Sequence, residues 1–227
     1  MKQNLFHLFR FTSPGLPIGA FAYSQGLESA VELGWIKSDK DVKEWILGLM
    51  TNTMPYTDLA ILKRLAQAKL AKDKVAFKYW NDTMLACRES KELLQEDIQL
   101  GKTFKRLLLE VDELETEEAG TLDLLGISPL SYVSVFSLAL INGETSERDL
   151  LSVYLWTWLE NLVAAAIKLV PLGQTDGQRV LKSAMQNMSA CIDTALAVDD
   201  DDIGAGAPGF AIASSMHETQ YSRLFRS

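Results

Sequence analysis

The chain has 227 residues, 48% of them hydrophobic, and a net charge of −8. This length allows one large helical domain or two small ones, with enough apolar material for a substantial core. The negative charge argues against nucleic-acid binding, because contact with phosphates requires a basic face. Cys87 and Cys191 form neither a disulfide framework nor a CxxC motif, so we expect a reducing compartment.

Helical spacing of apolar residues runs through most of the chain, and we find no run that alternates like a strand. The segment Ser13 to Gly19, with two prolines and two glycines, is the first exception and predicts an ordered turn. Further along, capping signals mark four helix starts. These signals are Ser38 with Asp41, Ser128 with Pro129, Ser146 with Asp149, and Thr175 with Gln178.

An acidic segment carries Glu89, Glu92 and Glu96, which share one face of a predicted helix. Arg88 can pair with Glu92 at the i, i+4 spacing, and this pattern favours a solvated, salt-bridged face. The same stripe offers an alternative, because an acidic helix face can also dock a basic partner. Asp97 is different: it lies in an apolar seam, so we expect it to meet an arginine or a helix end.

The helix predicted from Ser128 to about Ile141 carries a stripe of serines suited to close helix approach. The next helix, Leu150 to Val170, is apolar almost all round and is predicted at the centre of a bundle. Its successor is apolar on one face only, which predicts packing on one side. We therefore predict an all-α fold, a single-domain helical bundle with an extended C-terminal tail.

Two segments bear on membrane targeting. The first ten residues mix charged and polar side chains with apolar ones, unlike a secretory leader. The longest uncharged run, Leu124 to Gly143, contains Pro129 and four serines. A membrane span needs about 20 mostly apolar residues, so this run predicts a buried helix of a soluble protein. We expect a cytoplasmic protein without membrane contact.

Three short motifs resemble enzyme sites but lack essential parts. Gly101-Lys102-Thr103 resembles the end of a phosphate-binding loop, but Glu96 stands where a glycine is required and no strand precedes it. Gly204 to Gly209 has dinucleotide-loop spacing but follows four aspartates. Ser24-Gln25-Gly26 is half of a nucleophile elbow, with Ala22 where glycine is needed. We predict no catalytic group and no bound cofactor.

Candidate metal ligands are equally sparse. Both cysteines lie on apolar helical faces, where a buried thiol is the usual case, and His217 is alone in its segment. The aspartates from Asp199 to Asp202 form a charge run typical of a solvated linker. We therefore predict no dedicated metal site.

The C-terminal segment His217 to Ser227 is unusual for a chain end. Tyr221, Phe225, Arg223 and Arg226 are residue types that anchor interfaces, whereas chain ends are disordered unless something holds them. Composition leaves two interpretations equally open, a tail folded onto its own body and a partner-binding surface. We divide the chain into a helical body, residues 1–198, and an Asp/Gly-rich linker with a tail, residues 199–227.

Five blocks of this sequence resemble the urease accessory protein UreF family, and they keep their order along the chain. They are Ser13 to Glu28, Arg88-Glu89 with Glu92, Glu96 and Asp97, Tyr154 to Asn161, Lys168 to Thr175 with Gly177 to Arg179, and His217 to Ser227. Met216 departs from the family pattern, since relatives often carry a basic residue there.

The resemblance implies an all-α homodimer that has no enzymatic activity and acts in urease maturation. Its implied partners are a UreD/UreH-type accessory protein, a UreG-type GTPase and the urease apoprotein. The implied role is an adaptor for GTP-dependent nickel insertion, in which the complex handles the nickel and the chain holds no cofactor. Two alternatives stay open: a nickel carrier that binds metal directly, and a serine hydrolase that uses Ser24 with His217.

The resemblance also implies where partners bind. The first-rank surfaces are the N-terminal turn and the tail, and the second rank comprises the acidic stripe with two basic residues. The residues are Pro14, Pro17, Tyr23, Gln25 and Glu28, then Glu89, Glu92, Glu96, Lys168 and Arg179, and finally His217, Glu218, Tyr221, Arg223, Phe225 and Arg226. We expect removal of residues 217–227 to leave the body folded and to abolish complex assembly.

Overall fold

A computed structural model describes residues 3–142 and 144–227, apart from the side chains of residues 3–5, 117–119 and 121. Met1, Lys2 and Gly143, at the ends of the two segments that bear on membrane targeting, lie outside the described residues. The described ranges contain α-helices, two short 3-10 turns and no strand, which confirms the all-α prediction. The α-helices are α1 Gln3–Thr12, α2 Leu27–Glu32, α3 Asp39–Asn52, α4 Asp58–Leu70, α5 Lys74–Ala86, α6 Lys91–Glu110, α7 Thr116–Leu124, α8 Tyr132–Leu140, α9 Glu147–Leu169, α10 Gln174–Ala197 and α11 Pro208–His217.

Helix α9 lies at the centre of the bundle, as its apolar sequence predicts. It packs against α1, α2, α3, α4, α8 and α10, and Leu151, Leu155, Leu159 and Ala166 are buried along it. By length and composition alone α9 is apolar enough to cross a membrane, and half of its apolar window is buried inside the chain. The expectation of no membrane contact stays a prediction.

Two of the four predicted helix starts are confirmed. Ser38 accepts the N–H of Asp41, whose carboxylate accepts the Ser38 N–H in return, so the capping box opens α3. Ser146 accepts the N–H of Asp149 and opens α9 in the same position as predicted. Each cap satisfies backbone donors that the first helical turn leaves without partners.

The other two predicted starts are wrong. Helix α8 begins at Tyr132 rather than at Pro129, because the Ser131 hydroxyl, not that of Ser128, accepts the N–H of Ser134 at 3.0 Å. Helix α10 begins at Gln174 rather than after Thr175. Its first turn is closed by the Asp176 carboxylate, which accepts the Gly173 N–H at 3.2 Å.

Helices α6 and α8 approach each other closely at a glycine. A Cβ atom on Gly101 would lie 2.3 Å from the carbonyl oxygen of Leu130 and 2.9 Å from the carbonyl carbon of Ser131. Ser131, Ser134 and Ser137 are fully buried on α8 or at its cap. Ser131, the N-cap of α8, therefore lies at the close contact that Gly101 permits, whereas the Ser134 hydroxyl donates to Asn81 of α5.

The linker is more ordered than its composition suggests. Arg64 donates through Nε to Asp200 at 2.9 Å, and its guanidinium also donates to the carbonyl of Val198. The Gly204 N–H donates to the carbonyl of Tyr56 at 2.9 Å. Helix α11, which sequence reasoning missed, follows with Pro208 in its first turn, a position that favours proline because its missing N–H has no helical partner there.

Two glycine substitutions test the α6–α8 contact. We expect Gly101→Ala to destabilise the protein by about 1 to 3 kcal/mol, because backbone atoms block the new methyl group. Gly48→Ala is the matched control: it lies within α3, and apart from its chain neighbours and its own helical backbone no atom lies within 4 Å of the point that its new Cβ would occupy. The control should gain about 0.5 to 1 kcal/mol from helix propensity. Urea unfolding measures both, and equal effects of the two substitutions would contradict the close contact.

Candidate functional site

Three parts of the chain that are distant in sequence meet around a cluster of buried polar groups. They are α2 with the segment that leads into it, the first half of α6, and the C-terminal tail. The central residues are Glu28, Glu92, Glu96, His217 and Ser227, which we call the tail-docking cluster. His217 and Ser227 are completely buried, and Glu28 and Glu96 are nearly so.

Glu28 holds the tail through backbone groups. One carboxylate oxygen accepts the N–H of Leu224 at 2.6 Å, and the other accepts the N–H of Phe225 at 2.8 Å. Gly26, which precedes α2, permits a close approach to α11. Its φ is 75°, and a Cβ atom there would lie 3.0 Å from the backbone nitrogen of Ser214. Glu28 therefore binds two consecutive main-chain donors of the tail, one with each carboxylate oxygen.

His217 lies between two carboxylates from different helices. Its Nδ1 is 2.6 Å from a Glu92 oxygen, and its Nε2 is 3.1 Å from a Glu28 oxygen. Arg223 donates to the second oxygen of Glu92, also at 2.6 Å. These contacts join α2, α6 and the tail into one polar network of two carboxyl groups, an imidazole and a guanidinium.

Glu96 completes the cluster on the inner side. It accepts hydrogen bonds from the Ser227 hydroxyl at 2.6 Å and from the Gln25 amide at 2.8 Å. The oxygen of Gln25 in turn accepts the indole N–H of Trp158 on α9 at 2.8 Å. Burial raises the pKa of Glu96 to about 7, although the bonds from Ser227 and Gln25 act to lower it.

The interpretation of the acidic segment as a solvated helix face is wrong. Glu89 precedes α6, whose N-cap is Ser90, so it does not belong to the helical stripe. Glu92 and Glu96 do lie on α6, but they turn inward and bind the tail of the same chain. The segment therefore provides two residues of the tail-docking cluster, Glu92 and Glu96.

Arg88 pairs with aspartates and not with Glu92. It donates to both oxygens of Asp58, at 3.0 and 3.2 Å, and to Asp97 at 2.8 Å. Asp97 also accepts the backbone N–H of Tyr132, at the start of α8, so the expected partners for this buried carboxylate are both present. Burial raises the pKa of Asp97, and the charge of Arg88 acts against that rise.

The enzyme-like motifs take part in structural contacts. The hydroxyl and the N–H of Ser24 both donate to the main-chain oxygen of Ser227, at 2.6 and 2.8 Å. Both ring nitrogens of His217 are occupied by carboxylates, so Ser24 and His217 do not form the nucleophile–base pair of a hydrolase. Gly101 to Thr103 lies in the middle of α6, as its helical surroundings predict.

Several of the predicted partner-binding residues are exposed. Pro14 and Pro17 are exposed in the turn before α2, and Arg179 is exposed on α10, where it pairs with Asp176. In the tail, Arg226 is exposed and the side chain of Tyr221 is fully exposed. When the chain is alone, these side chains are accessible to another protein.

Other predicted residues make contacts within the chain. Tyr23 and Phe225 are buried, and the Lys168 ammonium lies 5.5 Å from the centre of the Phe225 ring. Glu218 accepts the N–H of Lys91 at the start of α6, at 2.9 Å. Glu89 is exposed and lies against Gly206 of the linker.

Sequence reasoning missed several residues that hold the tail. Ser24 donates to Ser227, and the hydroxyls of Ser90 and Ser214 lie 2.6 Å apart in a buried contact between α6 and α11. Hydroxyl groups at a loop and at a helix cap give no sequence signal of a long-range partner. Asp58 carried a weak signal, because a carboxylate in the first turn of the apolar helix α4 needs a partner when buried.

No group of three or more His, Cys, Asp or Glu residues is arranged to hold a metal ion in residues 3–142 and 144–227. Cys191 is buried on α10, and Cys87 is half-buried next to the linker. The expectations of no metal site and no cofactor stay predictions.

These features define a class of protein: an α-helical protein whose buried polar groups hold its own C-terminal segment. The family model for UreF matches residues 36–185 of the chain. The chain is 44% identical to the urease accessory protein UreF of Chromohalobacter salexigens, over 97% of this chain and 93% of that one. It is 44% identical to UreF of Teredinibacter turnerae over the whole of both chains, and 43% identical to UreF of Alcanivorax borkumensis over 100% and 99%. The chain belongs to the UreF family of urease accessory proteins.

One prediction concerns Arg88, which pairs with two buried aspartates. Arg88→Met leaves Asp58 and Asp97 without their shared counter-charge, and we expect a loss of about 3 to 5 kcal/mol in the free energy of unfolding. Arg106→Met is the matched control, because Arg106 pairs with Glu110 on the exposed side of α6, the helix that carries Asp97. The control should change stability by less than about 0.5 kcal/mol. Urea unfolding compares the two variants, and a small loss for Arg88→Met would show that the network does not stabilise the fold.

A second prediction concerns pH. Glu96 has a pKa of about 7 in the folded chain against an ordinary value of 4.5, so the folded state binds more protons between these values. As pH rises from 4.5 to about 7, the wild-type free energy of unfolding therefore falls by an amount on the order of 3 kcal/mol. Above about pH 7, Glu96 causes no further loss. Glu96→Gln should lack this contribution. Urea unfolding at about pH 5 and about pH 8 measures the difference, and an equal pH dependence in both proteins would exclude the effect.

Proposed function

We propose that the chain is a non-enzymatic adaptor in urease maturation. It bridges a UreD/UreH-type accessory protein and a UreG-type GTPase in the cytoplasm and assists GTP-dependent nickel insertion into apo-urease. Membership of the UreF family supports this role, since the relatives are named urease accessory proteins. The observation that carries the proposal is the way in which the tail displays Tyr221.

Tyr221 lies between two anchored parts of the tail. On one side His217 is buried between Glu28 and Glu92, and on the other Phe225 is buried against the body. The intervening side chains of Tyr221 and Leu224 point to solvent, and Leu224 is 65% exposed. An aromatic side chain on a segment that is already ordered loses little entropy on binding, which is the property of an interface anchor.

We also propose that the chain forms a homodimer, and an apolar surface around α9 supports this. The large side chains of Phe6, Phe9 and Phe21 are more than half exposed, and they belong to α1 and to the short turn Ala20–Ala22, which both pack against α9. A groove of about 190 Å³ lies beside them and is lined partly by Glu160 and Ala164 of α9. Exposed apolar surface of this kind marks protein–protein contacts.

Nickel is cargo in this proposal, and the partners handle it together with the chain. A direct nickel carrier is the alternative that a simple measurement distinguishes. Equilibrium dialysis of the isolated chain against Ni²⁺ should find no stoichiometric tight site under the adaptor proposal. Binding of one ion per chain below about 1 μM, which corresponds to roughly 8 kcal/mol, would favour the carrier instead.

The adaptor proposal is tested by point substitution and not by truncation. Removal of residues 217–227 would expose Glu28, Glu92 and Glu96. The truncation changes the body as well as the tail, so it does not test the tail surface alone. Tyr221→Ala removes a fully exposed side chain and should leave the fold intact. We expect it to weaken assembly with the accessory protein and the GTPase by roughly tenfold or more.

The control is Tyr79→Ala, which removes another exposed tyrosine, on α5. Co-purification and titration of the complex measure assembly, and the urea unfolding of both variants checks their folding. Equal assembly of Tyr221→Ala and wild type would contradict the proposed role of the tail surface. Assembly that fails equally with Tyr79→Ala would show that the effect is not specific to the tail.

A further inference from the structure

The contacts of His217 impose a condition on its protonation. A neutral imidazole has one N–H donor and one acceptor nitrogen, whereas both ring nitrogens here face carboxylate oxygens at hydrogen-bond distance. An unprotonated nitrogen beside an ionised carboxylate would place two acceptors against each other. One additional proton must therefore lie in this cluster, either on the imidazole or on one of the two carboxylates.

The neighbouring donors show where that proton resides. Glu28 accepts the N–H groups of Leu224 and Phe225, one on each oxygen, and Glu92 accepts an N–H of Arg223. Donors on these oxygens favour ionised carboxylates. The proton therefore belongs to His217, which donates through both nitrogens as an imidazolium ion.

Charge balance gives the same assignment. The charged groups that face His217 are Glu28 from α2, Glu92 from α6 and Arg223 from the tail. With an imidazolium ion, two carboxylate anions face two cations, and the charges balance. A neutral His217 leaves a net negative charge in a site where the imidazole is completely buried. An unbalanced buried charge is costly, because no water solvates it.

We propose that His217 is a proton-operated clamp, which holds the C-terminal tail on α2 and α6 while it is doubly protonated and releases the tail when it loses one proton. Release would free residues 218–227 and uncover Glu28, Glu92 and Glu96. It would also end the anchored presentation of Tyr221. The bearing on partner assembly rests on the proposed function, whereas attachment of the tail is measured on the isolated chain, so either proposal can fail alone.

Other titratable groups near the tail must be separated from His217. Glu96 binds the Ser227 hydroxyl, and because burial raises its pKa to about 7, it also favours an attached tail at low pH, up to that value and no further. Glu218 accepts the Lys91 N–H, and Lys168 lies over Phe225. At the other end of α11, Asp41 and Glu44 of α3 line a groove with Phe210, away from His217.

Protection of the Leu224 and Phe225 amides from hydrogen exchange reports whether the tail is attached. In the wild type we expect protection, corrected for intrinsic exchange, to fall by up to about tenfold per pH unit over the interval in which His217 loses its proton. Nitrogen NMR of the imidazole follows that proton directly. The chain has two histidines, so a His7→Gln variant assigns the His217 signal.

Glu92→Gln is the decisive variant. Its amide oxygen can still accept from Arg223, and its NH₂ group can donate to Nδ1, so a neutral His217 satisfies every contact. The tail of this variant should stay protected at the pH at which the wild-type tail is released. A merely structural role for Glu92 predicts the opposite, a tail that is loose at every pH.

Glu96→Gln is the control, and its tail should still be released as His217 deprotonates. His217→Phe should release the tail at all pH values. The proposal is overturned if NMR finds a neutral His217 while the tail is attached, or if wild-type protection stays constant through deprotonation. It is also overturned if Glu96→Gln, and not Glu92→Gln, removes the pH dependence.

Discussion

The guanidinium of Arg88, whose side chain is 17% exposed, makes the contacts on which the arrangement of the helices depends. It meets Asp58 at the start of α4 and Asp97 on α6, while the Tyr154 hydroxyl of α9 donates to Asp58 at 2.8 Å. Each of these groups would be costly if buried alone, and each is satisfied only when the helices meet in this one arrangement. The network therefore specifies how the helices assemble, whereas the apolar core around α9 supplies most of the favourable free energy.

The same network sets the orientation of α6 and therefore the location of the tail-docking cluster. Asp97 turns toward Arg88 and the start of α8, which places the adjoining face, with Glu92 and Glu96 one turn apart, against the tail. Gly101 lets α6 approach α8 closely enough for the Asp97 contact to form one turn earlier. A single helix thus carries an apolar seam, a structural ion pair and the binding site for the chain's own C-terminal segment.

Sequence reasoning identified the need of Asp97 for a partner but chose the wrong partner for Arg88. The carboxylate stood out because it interrupts an apolar helical seam, and an isolated buried charge is not tolerated. The i, i+4 spacing indicated Glu92 as the partner of Arg88. That rule holds only inside a helix, and α6 begins after Ser90, so Arg88 lies outside it. The all-α fold was predictable from periodicity, whereas long-range polar pairs such as Arg88 with Asp58 leave no periodic signal.

The tail shows why composition left two interpretations open. Buried anchors and interface anchors use the same residue types, because both combine apolar surface with charge-assisted hydrogen bonds. Within the single chain the segment divides residue by residue: Phe225 is buried against the body, whereas Tyr221 is fully exposed. The partners that distinguish them, Glu28 and Glu92, lie far away in sequence. A tail held by its own body is therefore compatible with a partner-binding tail, because the buried residues fix the conformation in which the exposed ones are presented.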